Sequence, residues 1–244
     1  MRVIRFIYFL FFIAACDKIQ AQVGKITYER RVYYKNIDQK LPHLTASEKD
    51  MMVATKSRGG AEITKMYLLY FQKEFSQYKI KTAAEYYGDE DKDVFNSFYS
   101  TKTVKDLRYL PDAKYLVEDN LPKYSWKILN EFKDVAGYVC MKAETRDTVN
   151  NVVVHAWFTD KIPYYFGPEG YHGLPGMILL LEFNHDDVVI EATKVEWMTE
   201  DFELKEFKKI KGKKVNYQKF NTLKKKHIQN YLDKKNNPYW WVRY

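Results

Sequence analysis

Glycine is scarce, with ten in 244 residues; proline is scarcer at seven, and cysteine scarcest at two. So little glycine and proline excludes a collagen-like or low-complexity chain. Two cysteines exclude a disulfide-stapled scaffold. Past residue 15 no apolar run approaches the ~20 residues that a membrane-spanning helix needs. The five histidines never stand at i, i+2 or i, i+4, which argues against a zinc pair on one strand or helix, and no metal site is expected. Nucleophile-elbow and phosphate-loop motifs are missing too, so no cofactor is expected.

What the chain does have begins at its N-terminus, MRVIRFIYFLFFIAAC. Arg2 and Arg5 precede an apolar run that ends in small residues at Ala14 and Ala15. That is the layout of a secretory signal peptide. Two processing sites compete. Ile13-Ala14-Ala15-Cys16 fits a lipoprotein signal, with residues 1–15 removed and Cys16 acylated. Cleavage after Ala21 would remove residues 1–21 and leave Gln22 first. Asp17 and Lys18 count against the second route, and the short tether before Val23 counts against the first. Either route takes Cys16 out of disulfide chemistry and leaves Cys140 alone in an oxidising compartment.

Aromatic residues make up 17% of the chain, and 21 of them are tyrosines. Together with β-branched residues they favour strands. Charge is uneven. Residues 205–244 carry thirteen Lys or Arg against two acids, a net of +11; the whole chain is +8, so residues 1–204 carry −3. An acidic body with a basic tail suggests a solvated helix face, or contact with an anionic membrane surface or acidic partner. Nucleic acid is not an expected partner outside the cytoplasm.

The pattern predicts a mainly β, α+β fold: one domain over residues 22–200 and a basic helical tail over 201–244. The sheet should be single, antiparallel and curved, or a half-barrel. Val23–Tyr34 alternates as a half-buried strand. Thr45-Ala46-Ser47-Glu48 is a capping box that opens one helix in the N-terminal half, ended by Gly59-Gly60. Short strands then recur, separated by turns. Gly88–Asp93 reads as a polar acidic loop without the spaced ligands of a calcium site. A helix from Tyr217 has Phe220, Leu223, Ile228 and Tyr231 on one side, with Lys219, Lys224, Lys225 and Lys226 mostly elsewhere; it should stop before Pro238. Trp126, Trp157 and Tyr138 are expected in the core.

Four of the ten glycines fall between Gly167 and Gly176, in the stretch GPEGYHGLPGMILLLEF. Gly173-Leu174-Pro175-Gly176-Met177-Ile178 closely resembles the signature of the GLPGLI family of bacterial envelope proteins. Further pieces match in order: Trp126-Lys127-Ile128, Gly137-Tyr138-Val139-Cys140 with Lys142-Ala143, Ala156-Trp157-Phe158-Thr159, Ile162-Pro163 and Gly167-Pro168. Departures are Met177, where leucine is usual, and Leu180-Leu181 before Glu182. The resemblance implies a secreted β-rich domain, often encoded near outer-membrane receptors, and it carries over no catalytic residues.

The loop has two readings. As structure, its glycines permit positive φ and close backbone approach, while Pro168 and Pro175 fix the chain. Leu174 is then packed and Tyr171 sits at the rim. As function, Gly167, Pro168, Tyr171, His172, Gly173, Leu174, Pro175 and Gly176 form a rigid lip over a groove. The expected function is a non-catalytic role at the outer membrane, in the periplasm or on the outer membrane itself, binding an apolar ligand or a receptor partner. The rival is a periplasmic enzyme using Cys140 or His172.

Overall fold

The computed structural model describes residues 23–56, 62–82, 89–198 and 212–244. Cys16 and both cleavage sites lie outside the described residues, as do Gly59 and Gly60. Among the described residues no helix is long and apolar enough to cross a membrane.

Strands that follow one another and pair run antiparallel, most through short turns and some through longer links. The chain forms two meanders on that rule. The first comprises β1 (Val23–Tyr33), β2 (Glu62–Gln72), β3 (Phe75–Ile80), β4 (Phe95–Phe98), β5 (Thr103–Leu110) and β6 (Ala113–Asn120). The second comprises β7 (Lys127–Val135), β8 (Tyr138–Asp147), β9 (Val152–Thr159), β10 (Met177–Phe183) and β11 (Val188–Met198). Pairing of β1 with β11, from Val23↔Met198 to Val32↔Val188, joins them. With β12 (Lys213–Val215) the sheet has twelve strands in the order β12-β6-β5-β4-β3-β2-β1-β11-β10-β9-β8-β7, and it does not close into a barrel.

Two details differ from the sequence reading. The sheet is not wholly antiparallel, because β12 lies parallel to β6, Lys213 beside Tyr115. The N-terminal half holds two helices, α1 (Tyr34–Gln39) and α2 (Ala46–Lys56). The first is one short turn directly after β1, with no side-chain cap to announce it. The second opens on the expected capping box: Thr45 N–H donates to Glu48 Oε2 at 2.8 Å, and Glu48 N–H to Thr45 Oγ1 at 3.3 Å. The α3 helix (Tyr217–Asp233) starts at Asn216, whose side chain accepts from Lys219 N–H.

Tyrosines build the centre of the core. Tyr67 stacks on Tyr78 at 5.1 Å, and Tyr28 meets Tyr78 edge-on at 6.0 Å. The Tyr28 hydroxyl donates to Ile178 O at 2.6 Å, tying β1 to the start of β10. Trp157 is buried as expected, whereas Trp126 and Tyr138 are only partly buried at the less covered β7 end. A smaller cluster of Leu110, Tyr115, Val117, Phe220 and Val242 seats α3 and the C-terminus on the β5–β6 end.

The glycine-rich segment links β9 to β10. Gly176 has φ +153, and a Cβ there would lie 2.0 Å from Thr159 O. Gly173 has φ +89 with open space around it. Gly176→Ala is therefore expected to cost ~1 kcal/mol or more, from strain plus collision; Gly173→Ala pays for strain alone. Chemical denaturation measures both. Two variants as stable as the parent would contradict this account.

Candidate functional site

The loop delivers a carboxylate. Glu169 sits in the left-handed region, φ 55 and ψ 24, inside the 3-10 turn Pro168–Gly170. A non-glycine residue there is uncommon and marks a local constraint. Here the constraint is visible. Glu169 Oε1 accepts from Arg30 Nε of β1 at 2.9 Å and from Arg243 Nε at 2.8 Å. All three residues are buried. Burial pushes the Glu169 carboxyl up, but Arg243 and Arg30 outweigh it and hold it at about 2.

A buried polar layer extends from this triad. Arg243 donates to the Tyr67 hydroxyl at 3.3 Å, and Tyr67 donates to Asp91 Oδ1 at 3.0 Å. Lys65 pairs with Asp91, and Arg108 Nε with Asp93 Oδ2 at 2.8 Å. Phe95 lies under two guanidiniums, Arg108 at 4.4 Å and Arg243 at 5.8 Å. The segment expected as a polar acidic loop thus places Asp91 and Asp93, each 1% exposed, inside the protein. Desolvated carboxylates survive there because cations reach them.

Beside the triad lies a cavity of about 390 Å³. Its walls come from the Glu169–Tyr171 loop, from Asp119–Tyr124 at the end of β6 and beyond, from Arg146–Asn150 at the end of β8 and in the turn that follows, and from α3. Exposed Lys123 and Arg146 stand at its mouth. Inside, Tyr124 stacks on Tyr171 at 4.9 Å, and Tyr171 meets Phe183 edge-on at 5.8 Å. Tyr217 donates to Asp106 at 2.5 Å, and Tyr244 to Asp187 at 2.5 Å.

The expected site residues divide between these features. Leu174 is packed, 1% exposed, as anticipated. Tyr171 is a correction. It is 7% exposed and forms part of the cavity wall, because its ring is held between Tyr124 and Phe183. Pro168 is buried, and Gly167 sits where a Cβ would lie 2.7 Å from Ile178. Gly173, Pro175 and Gly176 shape the return to β10 and do not line the cavity.

His172 is buried with neither ring nitrogen hydrogen-bonded, edge-on to Tyr124 and Tyr99. Burial lowers it to about 4. Cys140 is buried; burial, reinforced by Asp134, pushes its thiol up to about 12. Its Sγ reaches Tyr138 O at 3.5 Å and a backbone group of Val135. A nucleophile needs an adjacent base or a lowered pKa, and neither side chain has one among the described residues. His155 is a buried face histidine, Nε2 3.1 Å from Glu144 Oε2.

Sequence reasoning missed Glu169, Arg243 and Lys224. Lys224 was placed on the solvated side of α3, yet it is 6% exposed and lines the cavity. Its position four residues after Phe220 and seven after Tyr217 was the available signal, since those offsets share a helix face.

Residues 144–180 match the model of a family described as a protein of unknown function, Porph_ging. No curated protein matches the chain. Among solved structures, PNGF-II in its C2 crystal form is similar, with a TM-score of 0.57 at 17% identity over 83% of this chain and 32% of that one. The P21 form gives 0.54 at 17% identity, over 84% of this chain and 34% of that one. At such identity the likeness is one of fold. The chain spans about a third of the length of those structures.

Two outcomes test this geometry. Glu169→Gln leaves two buried guanidiniums uncompensated and is expected to cost ~3 kcal/mol or more in urea unfolding; a loss near zero would contradict the triad's importance. His172 remains neutral in the folded protein down to about 4, whereas the unfolded chain takes up a proton below its ordinary 6.5. Between those values the unfolded state binds more protons. The stability is fully present above pH 6.5 and is lost as pH falls toward 4, by on the order of 3 kcal/mol. His172→Leu should flatten that part of the stability profile. Parallel profiles for variant and parent would contradict the burial argument.

Proposed function

We propose that the protein is an exported envelope protein of the GLPGLI kind that binds a small ligand and does not transform it. The observation that carries the reading is the cavity beneath the C-terminal segment. Its size lies within the range of small-molecule sites, and aromatic walls with a few convergent polar groups are typical of them. Non-catalytic binding is favoured by the settings of Cys140 and His172. Strong curvature of the sheet accounts for the geometry: the β9–β10 loop reaches so far across that a Cβ on Gly170 would lie 3.3 Å from Phe95 of β4.

A second reading, docking to an outer-membrane receptor, is favoured by the free edge of the sheet. Ile128, Phe132 and Val139 are 51%, 59% and 62% exposed on β7 and β8. Exposed apolar edges invite strand or partner addition. The exposed Lys219, Lys225 and Lys226 of α3 suit an anionic membrane surface.

Asn221→Trp, which fills the cavity from α3, separates the two. Protein purified natively from envelopes should release a small molecule on denaturation, detected by mass spectrometry, and the folded variant should release none. Equal release from both would overturn the cavity reading. Loss of a co-purifying membrane protein in Phe132→Lys, with the cavity empty in the parent, would favour the receptor. Mass spectrometry of the mature N-terminus tests export: acylated Cys16 or a start at Gln22 supports it, and an intact Met1 contradicts it.

A further inference from the structure

The cavity wall holds groups that the protein leaves unsatisfied. Lys224 is 6% exposed and, among the described residues, its ammonium makes no hydrogen bond or ion pair. Its Nζ keeps accessible surface on the cavity, and an ammonium drawn away from bulk water without a partner is costly. Burial pushes it down to about 8 against the pull of Asp147. The Tyr124 and Tyr171 hydroxyls, on the same walls, take no hydrogen bond among the described residues. The other cations and anions nearby are already engaged: Arg108 with Asp93, and Glu169 with Arg30 and Arg243.

Resting on the cavity reading, we propose that the ligand is a small hydroxylated carboxylate, its carboxylate on Lys224 and its hydroxyls on the Tyr124 and Tyr171 hydroxyls. The chemistry follows from what is missing. An ammonium without an acceptor calls for an anion. Phenol hydroxyls without partners call for hydroxyls. A dianion such as phosphate is disfavoured, because Asp119 and Asp147 share the wall and, among the described residues, Lys224 is the one unpaired cation inside it. An apolar ligand would leave the ammonium buried and unpaired.

Calorimetry with D-gluconate, D-glucose and inorganic phosphate tests this on the full-length protein and on Lys224→Met, with the exposed Lys225→Met as control. Gluconate should bind the parent and the control, and bind Lys224→Met at least ~10-fold more weakly, the loss expected of one charge-assisted hydrogen bond. Glucose and phosphate should bind the parent at least ~10-fold more weakly than gluconate does. Without ligand, Lys224→Met should melt at or above the parent, since methionine removes a buried charge and keeps the volume. Undiminished gluconate binding by Lys224→Met, or glucose or phosphate matching gluconate in the parent, overturns the carboxylate class while the cavity stands. Gluconate failing to bind the parent overturns it too, and the Asn221→Trp comparison then judges the cavity separately. Lys224→Met melting well below the parent makes Lys224 a structural residue and overturns the proposal.

Discussion

One carboxylate between two guanidiniums organises the interior of this protein. Glu169 meets Arg30 from the first strand and Arg243 from the end of the chain. Three segments remote in sequence therefore share one buried charge centre. Its desolvation is large, and the arrangement stands because each charge is hydrogen-bonded in place. The loop accepts left-handed backbone at Glu169 itself to make the contact. That explains a glycine-poor chain gathering its glycines here: the flanking positions must turn sharply and lie close to neighbouring atoms so that Glu169 can point inward.

The triad also sets the cavity. With the loop drawn onto the face and the C-terminus drawn over it, space remains between Tyr171, Phe183 and the inward side of α3. Tyr244 anchors the far end, donating to Asp187 at 2.5 Å and accepting from Asn184 at 2.9 Å. Further along, Asn237 Nδ2 donates to Asp38 Oδ1 of α1 at 2.6 Å. The segment is thus held by polar contacts at both sides of the cavity. Beside those paired charges, Lys224 has no ion pair among the described residues, and unpaired polar groups are where natural proteins give up stability for function.

The sequence made local features legible and distant ones not. The capping box at Thr45 and the start of α3 depend on residues within a few positions of each other, and both appear as read. The positive φ at Gly173 and Gly176 followed from the same local logic. Glu169 could not be read, because its partners lie 139 and 74 residues away. Asp91 and Asp93 looked like solvent-facing acids for the same reason. Lys224 was legible in principle from helical spacing, but a lysine among lysines reads as surface until the opposing wall is known. Parallel pairing of β12 with β6 rests on three residues and left no periodic trace.

The central claim is that Glu169 and Arg243 act as a unit that fastens the C-terminus to the sheet. A double-mutant cycle of Glu169→Gln and Arg243→Met, measured by urea unfolding, tests it most directly. The account predicts a coupling energy of ~2 kcal/mol or more, with the double variant losing far less than the sum of the single losses. A coupling energy near zero, with the two losses simply adding, would contradict it.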